Sequence, residues 1–190
     1  MQPQTVAAEL ARYWLSENAI IIDTETTGLD SIDEVIEISL LDCRGTVLMD
    51  TLVKPVGRIS REAARIHGIQ NSDLINAPRW LEVVPDLIKA VRDRTVVMYN
   101  ASFDTRLIQQ SCLRNMLQPF NLHAHCAMKE YAKFWGQWSD KRQGFKWQSL
   151  ANAAKQQGIT VEGDAHRALT DCRTTLAVIK AMASHKPVAA

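Results

Sequence analysis

The chain reads as a single α/β domain, strands first and then helices alternating with strands. Three observations predict this. A continuous β-branched run, "IIIDTETTGLD" (Ile20 to Asp30), suits a strand covered on both faces. Two further apolar strand patterns follow it closely, and a third appears later in "TVVMYN" (Thr95 to Asn100). Between and after these lie segments with helical periodicity, each closed by glycine or bounded by a capping residue. At 190 residues the chain suits one domain with one substantial core.

Taken in order, Thr5 to Leu15 is helix-compatible, with Val6, Leu10 and Trp14 roughly on one side. Residues 1–18 are expected to form an N-terminal helical extension. Ala19 to Thr24 reads as the first buried strand. Glu34 to Asp42 ("EVIEISLLD") reads as a second, with Val35, Glu37 and Ser39 facing one way and Ile36, Ile38 and Leu40 the other. "CRGTV" is a hairpin turn, leading to a third strand over Thr46 to Val53.

Ser60 before "REAARIHGI" predicts a short capped helix ended by Gly68. Ala77 to Arg94 is helical, and Pro85 should start a new segment or kink the old one. After the Thr95–Asn100 strand, Leu107, Ile108, Cys112 and Met116 share a helical face within Phe103 to Met116. Trp147 to Gln157 is a helix closed by Gly158. A last helix follows Gly163-Asp164 with Leu169, Cys172, Leu176, Ile179 and Met182 as its core stripe. Residues 185–190 read as a frayed tail.

Composition is ordinary for a globular protein, and the net charge of +1 argues against a strongly electrostatic coat protein. Local patches can still bind nucleic acid. The four cysteines, Cys43, Cys112, Cys126 and Cys172, form no CxxC pair and fit reduced, mostly buried thiols. Cys43 and Cys112 in particular read as core. No secretion signal and no membrane-length apolar run are present, so the expected compartment is the cytoplasm, away from any membrane.

The chemistry-bearing residues sit at the ends of the predicted strands. Side chains two apart in a strand share a face, so Asp23 and Glu25 project together. Two such carboxylates in a partly dry site repel one another unless a cation lies between them. The cations suited to them are Mg²⁺ and Mn²⁺, which prefer carboxylate and water oxygens. Two solvated acids at a strand end is the plainer alternative.

"YNASFD" adds Asp104 after a second buried strand, and "GDAHRALTD" adds His166 and Asp171 at the start of the last helix. The carboxyl ends of strands in open α/β sheets are where ligands collect, so four acids and a histidine are expected to meet there. Five helical positions separate side chains by about 140°. His166 therefore belongs in or beside the loop and Asp171 on the helix.

"DTETTG", "NASFD" and "HRALTD", in this order, resemble the three motifs of the DnaQ-like DEDDh 3′→5′ exonucleases. The similarity runs from about Ala19 to Met182, and "ISREAARIHGI" resembles the family's segment between the first two motifs. The resemblance implies a ribonuclease H-like mixed central sheet flanked by helices, with the exonuclease domain over 19–184. It also implies that Asp23, Glu25, Asp104 and Asp171 hold two Mg²⁺ or Mn²⁺ ions, and that His166 is the general base. Asp23, Glu25 and Asp171 would hold the first ion, and Asp23 would bridge to the second, near Asp104.

The implied reaction is 3′→5′ removal of nucleoside monophosphates from the 3′ end of single-stranded or frayed nucleic acid, DNA favoured over RNA. Two cations about 4 Å apart neutralise the reacting phosphoryl group and acidify water. A histidine, mostly neutral above about pH 6.5, accepts the proton. The family also includes polymerase proofreading subunits, so a polymerase or replication partner is implied. Backbone N–H groups near Thr26 and Thr27 would meet the terminal 3′-hydroxyl, with Gly28 permitting close approach or an unusual dihedral. Leu29 would wedge against the terminal base beside Phe103, Asn100 would bond the strand's backbone, and His67 would line the base pocket. For each of these, ordinary packing or a structural hydrogen bond is the competing reading.

Two sequence features stand outside the motifs. Lys129 to Trp147 interleaves five basic residues with six aromatics, which suits either a single-strand stacking platform or, by weight of precedent, an amphipathic helix packing its tryptophans inward. "HAHC" (His123, His125, Cys126) reads as a strand with incidental histidines, for want of a nearby fourth ligand. Rival functions are a haloacid-dehalogenase-type phosphatase, whose nucleophile motif "DTETT" mimics, a 3′→5′ exoribonuclease, and a catalytically idle nucleic-acid-binding or polymerase-associated subunit.

Overall fold

Ile20, Ile21 and Ile22 become fully buried because the strand that carries them lies mid-sheet and receives helices on both faces. The computed structural model describes residues 2–161 and 163–185. Its elements run α1 (Pro3–Ser16), β1 (Ile20–Thr26), β2 (Val35–Asp42), β3 (Val47–Leu52), α2 (Arg61–His67), α3 (Trp80–Val91), β4 (Val96–Met98) and α4 (Ala101–Arg114). They continue with β5 (Ala124–Cys126), α5 (Ala127–Trp135), β6 (Trp138–Ser139), β7 (Gly144–Phe145), α6 (Leu150–Gln156) and α7 (Ala168–Ser184). The predicted tail, apart from His185, lies outside the described residues.

The main sheet has the order β3-β2-β1-β4-β5. β1 pairs antiparallel with β2 and parallel with β4, so the sheet is mixed, as the family resemblance implies. β6 and β7 form a separate short hairpin. Ile21 faces α1, α5 and α7, whereas Ile20 and Ile22 face α3 and α4. Alternation along one strand thus feeds two cores, which is why the run needs no polar break.

Residues 3–16 are part of the first of these cores: Ala7, Ala8, Ala11 and Trp14 are all buried against α5 and α7. Alanines on this face let the helix axes approach closely, and Arg12 ties the pair by donating to the Ala183 carbonyl at 3.0 Å. Cys43 and Cys112 are buried, as expected of core thiols. β5 is the short strand expected for "HAHC", with the His125 ring 5.7 Å from that of Trp14.

One sequence expectation is corrected, and of the two outcomes expected at Pro85, a new segment or a kink, the new segment does not form. β2 does not keep one alternation throughout. Opposite Glu25 and Thr26 its register skips Ile36, a one-residue bulge, so Val35 joins Ile38 and Leu40 in one core while Ile36 enters a third with Ile59, Ala63, Ile69 and Leu74. An extra residue flips every side chain beyond it to the other face. Pro85 lies inside α3 without dividing it. It removes one backbone donor, and burial of Trp80, Val83, Val84 and Leu87 on either side holds the helix together.

Candidate active site

β1 ends between two helix N-termini, and that is where the acids gather. Asp23 and Glu25 lie on the α7 face of β1. Asp171 sits in the first turn of α7, and one carboxylate oxygen from each of the three lies within 4.8 Å of the others. Asp104 occupies the corresponding first turn of α4, on the opposite face of the sheet. Its carboxylate is buried and accepts a hydrogen bond from the Thr24 hydroxyl at 2.8 Å. It also exerts the largest charge effect on Asp23. The structure therefore brings all four predicted acids to one end of β1, three in a cluster and the fourth beside it.

The acids are held against their ordinary ionisation. Burial, and then the charges of Asp104, Asp171 and Glu25, raise Asp23 well above the usual carboxylate range. Glu25 is pushed up to about 9, first by burial and then by Asp171. Asp104 rises to about 7 through burial, against the lowering hydrogen bond from Thr24. Asp171 is also raised by burial, offset by the nearby His166 ring and its backbone N–H. Hard oxygen donors that cannot all ionise without a counter-charge are the donor set for a divalent cation.

His166 lies in the exposed loop before α7, and Asp171 on the helix, the division that their spacing anticipates. The His166 backbone is left-handed, with φ of 60°. A non-glycine residue holds such a conformation only where its surroundings over-determine it. Arg167 next to it supplies that anchor. Its Nε and Nη2 donate to both oxygens of the buried Glu37 at 2.5–3.1 Å, and the Ala168 N–H donates to the same carboxylate at 2.9 Å.

Glu37 and Arg167 were missed as site residues. Glu37 pairs across the sheet with Glu25, so two acids share one face and Arg167 neutralises the rear one. The available signal was Glu37, an acid flanked by apolar residues on both sides in "VIEISLL", which requires a cationic partner. Thr24, which orients Asp104, was missed too; its alternation placed it on the α4 face.

Beside the acids is a cavity of about 370 Å³, lined by residues that include Glu25, Thr26, Gly28, Leu29, His67 and Phe103. Leu29 is 74% exposed at its lip, so the alternative of core packing does not apply. Phe103 is half-buried, packing partly on the core below, with the Arg106 guanidinium 5.4 Å from its ring centre. Gly28 has no left-handed dihedral, and a Cβ there would meet Asp33 Oδ2 at 2.6 Å, so the glycine lets the Asp33 carboxylate close on the loop.

Thr27 differs from expectation. Its N–H donates to the Glu34 carbonyl, and its hydroxyl donates to Asp33 and accepts from Glu34 N–H, so it braces the loop and has no backbone donor to offer. Thr26 lines the cavity, its hydroxyl donating to the Gly28 carbonyl. His67 lines it too, with both ring nitrogens engaged: Nδ1 accepts from Ile69 N–H and Nε2 donates to the Thr26 carbonyl. Burial lowers its pKa, which keeps this neutral tautomer. Asn100 precedes α4 and is not among the cavity's lining residues.

A family model described as an exonuclease matches residues 20–179. The chain is 41% identical over 182 residues to the uncharacterized exonuclease CP81 of Escherichia phage 186, covering 93% of both chains. It is 32% identical over 167 residues to the DNA polymerase III subunit epsilon of Treponema pallidum, covering 86% of this chain and 75% of the relative. Among solved structures it is similar to exonuclease X in complex with 5′-overhanging duplex DNA. That likeness has a TM-score of 0.65 and 30% identity, covering 86% of this chain and 90% of the other. Motifs, mixed sheet, acid cluster and matched length thus converge, and the chain belongs to the DnaQ-like DEDDh family of 3′→5′ exonucleases.

Proposed function

We propose that the chain releases nucleoside monophosphates from the 3′ end of single-stranded or frayed DNA, with Asp23, Glu25, Asp104 and Asp171 holding two Mg²⁺ or Mn²⁺ ions and His166 acting as general base. The observation that carries this reading is the triad of carboxylate oxygens within 4.8 Å, lying beside a cavity of about 370 Å³. The donor set fits the ions: four acids, all raised in pKa by burial, gain stability when a cation replaces their protons. When bound, divalent ions neutralise charge on the phosphoryl group and make water more acidic.

The chain's own residues do the rest. Leu29 and Phe103 bracket the terminal base, and the backbone around Thr26 and Gly28 approaches the 3′-hydroxyl. Asn100 bonds the strand's backbone. His67 holds the cavity wall through Thr26, and Thr27 braces the loop behind it. His166, exposed to solvent in its loop before α7, takes the proton of the attacking water. The likeness to exonuclease X with DNA supports DNA as substrate, and the likeness to a polymerase III subunit supports a replication partner. Four unpaired cysteines suit the cytoplasm.

The test is one assay series with 3′-labelled and 5′-labelled single-stranded DNA, duplex DNA and RNA, each with Mg²⁺, Mn²⁺ or chelator. Mononucleotides released from the 3′ end of DNA only with metal, and lost in Asp23→Ala, are expected. Cleavage that persists in chelator, or begins at the 5′ end, would sink the proposal.

A further inference from the structure

The segment joining α5 to α6 exposes what a small protein ordinarily hides. Trp135, Trp138 and Trp147 are 42%, 53% and 48% exposed, although indole is among the most apolar surfaces available. Tyr131 and Phe134 of α5 are buried, but Trp135, the last residue of that helix, is not, so the expectation of tryptophans packed inward fails for all three. The reason is size. β6 and β7 have two residues each, too few to fold over and cover their own rings.

The hairpin is nevertheless ordered from within. Trp138 meets Phe145 edge-to-face at 5.5 Å, the Trp138 indole donates to Asp140, and the Arg142 guanidinium lies 4.7 Å over the Trp147 ring. Its cations, Lys141, Arg142 and Lys146, are all exposed, and Asp140 is its one acid. Exposed indoles interleaved with excess positive charge suit a ligand that is both planar and anionic.

Its root lies at the same end of the parallel strands β1 and β4 as the acids. Gln148 directly follows Trp147, is buried, and accepts the Tyr99 hydroxyl on its carbonyl at 3.1 Å. The Gln148 side chain also donates to Gln137, closing the hairpin base. Tyr99 leaves the carboxyl end of β4 and is followed by Asn100 and the helix that carries Asp104. The platform is thus tethered to the strand end from which the catalytic constellation is built.

We propose that the end of α5 and the hairpin that follows it form a stacking platform for the single strand upstream of the 3′ end, with Trp135, Trp138 and Trp147 receiving bases and Lys141, Arg142 and Lys146 receiving phosphates. The proposal rests on the exonuclease reading for its ligand and adds the surface that gives the enzyme its grip on longer strands. Base–aromatic stacking is sequence-tolerant, so the platform suits an enzyme that must hold any sequence.

The experiment separates grip from chemistry. A 5′-fluorescent dodecathymidylate is titrated in chelator, and hydrolysis of a nitrophenyl ester of thymidine 5′-monophosphate is measured with Mn²⁺. Trp138→Ala and Trp147→Ala should each weaken dodecathymidylate about tenfold, and leave ester hydrolysis unchanged. Trp138→Phe should restore most of the binding, which a merely misfolded hairpin would not allow. Reversal of charge in Lys141→Glu with Arg142→Glu should abolish the salt dependence contributed by these contacts. Wild-type affinity in both tryptophan variants overturns the platform. Failure of the wild-type protein to hydrolyse any nucleotide would instead strike at the exonuclease reading, leaving the binding result to stand by itself.

Discussion

Glu37 is a buried acid directly across the sheet from another acid, and Arg167 makes that arrangement tolerable. Arg167→Met should leave Glu37 uncompensated. The loss is expected to be about 2 kcal/mol, below the roughly 3–5 of a fully buried pair because Arg167 is partly exposed and solvent-screened. Urea unfolding of Arg167→Met, Glu37→Gln and the double variant measures the coupling, and additive effects would remove the pair from the account. The same contact holds the loop that carries His166. His166→Ala should lower single-turnover cleavage by about 10²–10⁴-fold while DNA binding is retained. A variant that turns over like wild type would take the histidine out of the mechanism.

The elements most sensitive to small changes are those that shape the cavity. The loop after β1 is drawn in by Asp33, which accepts the Thr27 hydroxyl and the Asp30 N–H. Gly28→Ala would put a methyl group against this carboxylate, displacing Leu29 from the cavity lip. The expected outcome is a raised KM on single-stranded DNA with a smaller loss of thermal stability. Unchanged KM would mean that the loop does not hold the terminal nucleotide. α2 forms the other wall, and its Ser60 cap accepts from Ala63 N–H. Ser60→Ala should lower stability by about 1 kcal/mol, read by denaturant titration.

At the scale of the whole molecule, the acid site sets a pH-dependent load on the fold. In the metal-free protein Glu25 titrates near 9 and Asp104 near 7, both above their unfolded values. The folded state therefore holds more protons than the unfolded chain between those limits, and stability falls as pH rises. This contribution is fully present below about pH 4 and is lost progressively toward about pH 9. In chelator, the Tm should drop across that window, and Glu25→Gln should flatten the drop. Added Mg²⁺ should raise the Tm more at about pH 8 than at about pH 5. Equal increments at both pH values would contradict a site starved of counter-charge.

What the sequence by itself determined was local in origin. The isoleucine run, the Ser60 cap and Gly68 stop, and the motif spacings depend on neighbours along the chain, so they are legible from it. The four acids are legible for the same reason: Asp23 and Glu25 share one face of the first strand, Asp104 and Asp171 lie in the first turn of a helix, and those positions follow from periodicity. Only the tertiary structure decided which groups answer one another. The Ile36 bulge, the Glu37–Arg167 pair, the Thr24–Asp104 bond and the occupied donor of Thr27 each join segments whose meeting no local pattern specifies. Whether a tryptophan is covered depends, in the same way, on what the rest of the fold has left to lay against it. Exposure and charge pairing are properties of approach in space, and chain order constrains them only after packing has chosen the neighbours.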